Sequence, residues 1–188
     1  MIETSRLILR PFTEVDRGPF AELNAHPLVV ESLGSSPTRV ESDAFVDRIG
    51  AEMVREGWGL WAVEVAGGAP FAGIVGLHRV NAALPCAPAV EVGWRLHPDH
   101  WGHGYATEAA LASLRFGFDE AGLAEIVAFT ATPNTRSQAV MARIGMVRDP
   151  GADFDHPRVP EGSPLRRHVF YRATAPRSRP SVSATVDR

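Results

Sequence analysis

Hydrophobic positions recur along this chain with two different periods, and the changes of period mark its elements. In "RLILRPF", Leu7 and Leu9 alternate with Arg6, Ile8 and Arg10 before Pro11 stops the run, the pattern of a short strand. Thr13, followed by Glu14 and Asp16, suits a helix N-cap with an acidic first turn, and Phe20, Leu23 and Asn24 carry one helical face onward. Phe45, Ile49 and Met53 recur every four residues and predict a second helix over residues 42–56. "GLWAVEVA" and "PFAGIVGLHRV", split by Gly67, Gly68 and Pro70, read as an antiparallel hairpin, with "AVEVGWRL" as a third strand. The period then changes: Ala110, Leu114 and Phe118 predict a helix over 106–120, closed by Gly122. "EIVAFTA" is a strand, "NTRSQAVMARIG" a helix with Asn134 as N-cap and Gly145 at its end, and "HVFYRA" a late strand. The Pro-, Gly- and Asp-rich block 146–167 reads as largely loop, and "TAPRSRPSVSATVDR" has no apolar periodicity.

Consecutive strands in the middle imply antiparallel pairing, whereas strand, helix, strand near the end implies a parallel crossover. The expectation is therefore an α+β domain on a mixed sheet. The single cysteine, Cys86, has no partner for an internal disulfide and fits a reducing cytoplasm. No stretch approaches the roughly 20 apolar residues that span a bilayer, and the first residues are too short and polar for a signal peptide, so no membrane association is expected. A net charge of −3 without a long basic run argues against gripping nucleic-acid phosphates. All 19 basic residues are arginine, a usage that reflects a GC-rich genome and not chemistry.

The stretch "LHPDHWGHGYATEAAL" admits two chemistries. His97, His100 and His103 stand at intervals of three, as metal ligands on a helix might, but Pro98, Gly102 and Gly104 break any regular helix through them. No Cys or Glu stands at ligand spacing, so no metal is expected. An anion cradle agrees better with the context: a strand ends at Leu96, two glycines follow, and the clearest helix of the chain opens near Ala106. Free N–H groups and partial positive charge at a helix start attract phosphate, and glycines let it approach. Thr107 stands where a third Rossmann glycine belongs, the flanking strands are not alternating βαβ units, and without lysine there is no Walker loop.

"WGHGYATEA" resembles the pyrophosphate motif of the GNAT acetyltransferases, with Gly104 and Ala106 at its last fixed places and Trp101 where Gln or Arg is usual. That tryptophan within "HPDHWGHGYATEA", together with "ETSRLILRPFTEVD", "VEVGWRLHP" and "NTRSQAVMARIGM", resembles the branch of ribosomal-protein N-terminal acetyltransferases, the bacterial RimJ/RimL type, over nearly all of Glu3 to Met146. The resemblance implies a GNAT fold: a mixed, mostly antiparallel sheet splayed at its central strands, with helices on both faces. A single N-acetyltransferase domain is expected over 1–173, and the aperiodic end, 174–188, is expected to be a disordered tail. Acetyl-CoA would be the co-substrate, and the acetyl group would pass directly to a primary amine, either a peptide N-terminus or a small molecule, in a cytoplasmic enzyme that could be a homodimer. The pyrophosphate would meet the backbone of Gly102, His103, Gly104, Tyr105, Ala106 and Thr107, the pantetheine arm the edge of Val92, Gly93, Trp94 and on to Leu96, and Asn134 and Ser137 the thiol end.

Attack of an amine on a thioester needs a neutral amine, a polarised carbonyl and a proton for the thiolate. Glu91 is the candidate general base; alternatively it points to solvent on an alternating strand. Ser137 could protonate the thiolate, or simply bond the helix start after Asn134. Backbone N–H groups at Val92 or Gly93 could polarise the carbonyl. His78 could line the acceptor cleft, and Trp101 and Tyr105 would pack around the phosphate loop. Asp153, Asp155, His156, Arg166, Arg167 and His168 form either a solvated loop or a wall of the acceptor site. A non-catalytic acyl-CoA-binding module is the alternative to an enzyme, and Glu91 separates the two.

Overall fold

The computed structural model describes residues 1–176. Its strands are β1 (Ile2–Glu3), β2 (Leu7–Arg10), β3 (Leu60–Val65), β4 (Gly73–Arg79), β5 (Val90–Leu96), β6 (Glu125–Ala131), β7 (Val147–Arg148), β8 (Phe154–Asp155) and β9 (Arg167–Thr174). The helices are α1 (Arg17–Ala25), α2 (Pro27–Leu33), α3 (Arg39–Glu56), α4 (Tyr105–Asp119) and α5 (Thr135–Arg143). One sheet runs β1-β2-β3-β4-β5-β6-β9-β7, with β8 also paired to β9. Only β5 and β6 are parallel, and only Glu91↔Val127 is in register between them. Beyond that rung the strands diverge, so the sheet is mixed, mostly antiparallel and splayed at its centre. No helix of the described residues is long and apolar enough to cross a membrane.

Strand alternation divides the apolar residues between two layers. Leu7, Leu9, Val63, Val75, Leu77, Val90, Val92 and Ile126 pack with Ala109, Ala110 and Leu114 of α4. On the other face, Leu60 and Ile74 meet Phe20 and Leu23 of α1, Val29 of α2 and Val46 and Ile49 of α3. Past the splay the same face continues with Val127, Phe154 and Phe170, joined by Val80 and Leu84. A buried pair ties β2 to α1: Arg10 donates to both oxygens of Asp16, at 2.7 and 2.9 Å, and Asp16 also accepts from Thr13 N at 2.7 Å.

Several boundaries differ from the expectation. Helix α3 opens at Arg39, because Thr38 Oγ1 accepts from Glu41 N at 3.2 Å while the Glu41 carboxylate accepts from Thr38 N at 2.7 Å. Helix α2 was not foreseen; Pro27 starts it, and the left-handed Gly34 (φ 73°) ends it. Helix α4 starts one residue early, at Tyr105. The block 146–167 is not all loop, since β7 and β8 pair with β9. Thr174 is not tail but the last residue of β9, opposite Glu125. The rest of the expected tail, from residue 177, lies outside the described residues.

Candidate active site

The splay leaves the β6 side of β5 without a strand partner after Glu91, which exposes backbone groups of Val92 and Trp94, whereas those of Gly93, expected to meet the pantetheine arm, face Gly76 on β4. At the far end the Leu96 carbonyl is already in use, accepting from the Trp101 indole at 2.8 Å. Pro98–His100 then form one 3-10 turn, and the chain passes through Gly102 and Gly104, both at φ 80°, into α4. These left-handed glycines turn the backbone so that none of the N–H groups from Gly102 to Thr107 reaches a carbonyl of the chain. A Cβ at Gly102 would meet nothing within 4 Å, so the loop is uncovered there. Unpartnered donors, the positive end of a helix of about four turns and open space together fit a pyrophosphate.

An arginine secures this loop from the opposite end of the chain. Arg6 donates to the His103 carbonyl at 2.9 Å and to Glu108 at 2.7 Å, and its guanidinium lies 5.0 Å from the Tyr105 ring centre. Thr4 and Ser5 hydroxyls also donate to Glu108, at 2.7 and 3.0 Å, and these bonds hold its carboxyl below the usual carboxylate range although burial opposes them. Arg136, exposed at the start of α5, covers the Trp101 ring at 4.6 Å. Asn134 caps α5: its Oδ1 accepts from Ser137 N at 3.2 Å while Nδ2 donates to Ser137 Oγ at 3.1 Å and Thr130 Oγ1 at 3.0 Å. Ser137 Oγ thus acts as acceptor, and its own hydrogen remains free to donate.

Glu91 rises from the only rung that joins β5 to β6, on the face opposite α4. It does not point to bulk solvent: its side chain is 13% exposed and His78 Nε2, directly across on β4, stands 3.2 Å away. Burial pushes the His78 pKa down, but the charge and hydrogen bond of Glu91 outweigh it, and the net shift is upward. His168 also lies within the field of Glu91, which pulls its pKa up, while burial dominates and lowers it. The 146–167 block folds over this end: the rings of Phe154 and His168 stack at 5.5 Å, and Asp155 faces Arg167 at 3.4 Å. A Cβ on Gly34 would come within 3.0 Å of Leu165, so the block also reaches the end of α2. His156 and Arg166 belong to the same wall, whereas Asp153 turns away to Arg148 at 2.5 Å. Among the described residues, no group of three or more His, Cys, Asp or Glu is placed to hold a metal ion.

A cradle of free amides beside a splayed parallel rung is a construction with known counterparts. A family model described as acetyltransferase (GNAT) domain matches residues 6–147. The chain belongs to the GNAT family. Its fold class is accordingly the α+β GNAT fold, and membership places it among the acyltransferases. The uncharacterized N-acetyltransferase YoaA of Bacillus subtilis (strain 168) is 26% identical over 151 residues, covering 79% of this GNAT chain and 84% of that protein. The FsC-acetyl coenzyme A-N(2)-transacetylase of Aspergillus fumigatus is 48% identical over 56 residues, but these make up 30% of this chain and 24% of that protein. The crystal structure of a GNAT-family acetyltransferase from Bacillus anthracis superposes with a TM-score of 0.75 at 26% identity, over 92% of this chain and 97% of that one.

Two participants of this GNAT site escaped the sequence. Arg6 is one of many arginines flanking apolar positions, and nothing local ties it to a loop 97 residues away. Arg136 follows the Asn134 cap, but its stacking on Trp101 depends on the turn at 98–100 that brings the indole to α5.

Proposed function

We propose that the protein transfers an acetyl group from acetyl-CoA directly to a primary amine, within one domain formed by the described residues, and that it lies on the RimJ/RimL-like branch of the family. The observation that carries the proposal is the run of unpartnered N–H groups from Gly102 to Thr107 beside the free edge of β5. Those amides hold the pyrophosphate. Val92 and Trp94 offer their backbone to the pantetheine arm, with the N–H at Leu96 the last available group because its carbonyl is occupied by Trp101. Bound acetyl-CoA supplies the thioester. Glu91, with His78 across from it, takes the proton of the attacking amine, and Ser137, whose hydrogen is uncommitted, donates one to the thiolate. Arg6 and Arg136 bring positive charge to the rim of the cradle.

The test is thiol release from acetyl-CoA against a broad panel of amines and N-terminal peptides, repeated with Glu91→Gln. The variant should turn over about 100-fold or more slowly, the scale of a lost general base, with CoA affinity nearly unchanged. A wild-type protein that binds acetyl-CoA and releases no thiol with any acceptor would instead be a non-catalytic acyl-CoA-binding module.

A further inference from the structure

Three successive cross-strand pairs of β4 and β5 lie on the face opposite α4: His78↔Glu91, Gly76↔Gly93 and Ile74↔Arg95. Adjacent rungs on one face stand roughly 7 Å apart, so the acid–imidazole pair and Arg95 bracket a floor made by two glycines, with their Cα rungs separated by roughly 13 Å. A Cβ added at Gly93 would meet only the His78 ring, at 3.5 and 3.8 Å, with no other neighbouring atom within 4 Å.

Arg95 is peculiar among the cations of this chain. Every other arginine of the described residues is either in an ion pair or exposed; Arg95 is neither. Its guanidinium donates to Asn24 Oδ1 and lies 6.0 Å from the centre of the Phe20 ring, both on α1. Asn24 is itself fixed, since its Nδ2 donates to Ser42 Oγ at 3.0 Å. A guanidinium carries five N–H donors, so one amide oxygen leaves most of them unused. The only fully enclosed side-chain polar atom without a partner among the described residues is Asp43 Oδ1, so the unused nitrogens of Arg95 are not fully enclosed. Burial pushes the Arg95 pKa down to about 10, which leaves it charged at neutral pH and short of an anion.

We propose that Arg95 is the specificity determinant of the acceptor cleft: it pairs with a carboxylate on the acceptor, whose amine lies toward Glu91 and His78 over Gly93. The substrate class is thus a small amino-carboxylate, with the two groups at opposite ends of the slot. Planar guanidinium matches planar carboxylate in two parallel bonds, and Asn24 holds the fork in place.

The proposal rests on the acetyl-transfer function above, and the test separates the two. Thiol release from acetyl-CoA is measured with a series of amino acids and ω-amino acids, each beside its own carboxamide, and with polyamines. The wild type should prefer the carboxylates. Arg95→Gln should reduce that preference roughly 10- to 100-fold, the scale of a lost charge-assisted pair, through the KM of the acceptor and not that of acetyl-CoA; Arg95→Lys should recover part of it. Equal use of acid and amide, a preference for polyamines, or a preference that survives in Arg95→Gln would overturn the assignment and leave acetyl transfer standing. If no amine releases thiol, transfer itself fails. Calorimetry of the same carboxylates on the CoA-loaded protein then decides: binding lost in Arg95→Gln supports the anion subsite, and binding that is absent or insensitive to Arg95 overturns it.

Discussion

Replacing Gly104 by alanine probes the cradle through its backbone alone. Gly104 is the N-cap of α4 at φ 80° and ψ 6°, a left-handed conformation in which an L residue costs about 1–2 kcal/mol. The new methyl would meet only Arg6 Nη2, at 3.5 Å, an ordinary contact with a flexible side chain, so no steric term adds to that cost. The strain has two outlets. If the loop keeps its shape, stability falls by the full amount, and for a chain of this size melting drops by about 2–8 °C. If the loop relaxes, the amides of residues 102–107 no longer converge and CoA binding weakens instead, by about 5- to 30-fold for the same free energy. Gly145, also at φ 80° but past the end of α5 with nothing within 4 Å of its Cβ, is the comparison. Gly145→Ala should lower the melting temperature by a similar step and leave CoA affinity alone. Thermal melts and calorimetric CoA titrations of both variants read the two outlets. A Gly104→Ala protein that melts and binds like the wild type would refute the assignment of the loop to a strained, preorganised anion cradle.

Two further perturbations test the charge pairs. His78 has a raised pKa, so its pairing with Glu91 stabilises the fold fully below the usual histidine range, and that contribution fades as pH rises through the folded value. The same titration frees Glu91 to take an amine proton. Activity should therefore rise with pH through this shifted value, and in His78→Gln the acid limb of kcat/KM should move to lower pH; an unmoved limb excludes the pair as the titrating unit. Asp16 is 2% exposed against Arg10, and its pKa is lowered because the bonds from Arg10 and Thr13 outweigh burial. Asp16→Asn should cost about 3 kcal/mol at pH 7, with the gap closing as pH falls through the depressed Asp16 value; denaturant melts at pH 7 and in acid would expose a gap that stays constant.

Period-two and period-four patterns located β2 to β6, β9 and the helices α1, α3, α4 and α5, because each has one face in a core. Helix α2 was illegible for the converse reason: only Val29 of its residues is buried, so no stripe exists to detect. The first turn of α3 is solvent-facing too, and apolar periodicity starts late there; the local signal for its start is the Thr38–Glu41 capping box. Strands β7 and β8 are two residues each, shorter than one alternation. Within the proposed site, the left-handed turn of the glycines before a strong helix was readable because that geometry is local. Alternation along "VEVGW" put Glu91 on the face away from Val90 and Val92, but could not say whether that face meets water or His78. Pairings of Arg6 with His103 and of Arg95 with Asn24 depend on how distant elements meet, and no spacing in the sequence encodes them.

Glu108 joins residues from both halves of the chain, accepting from Thr4, Ser5 and Arg6 across separations of 102 to 104 residues. In folding terms this makes the phosphate loop a late structure: a ring of about a hundred residues closes before Arg6 can reach the His103 carbonyl, and loop closure on that scale is entropically costly. The N-terminal edge, often the place chosen for an affinity tag or a trimmed end, is here a supporting wall of the proposed cofactor cradle. Changes to Thr4, Ser5 or Arg6 would register at the 102–108 loop, far along the sequence, before they registered in the core.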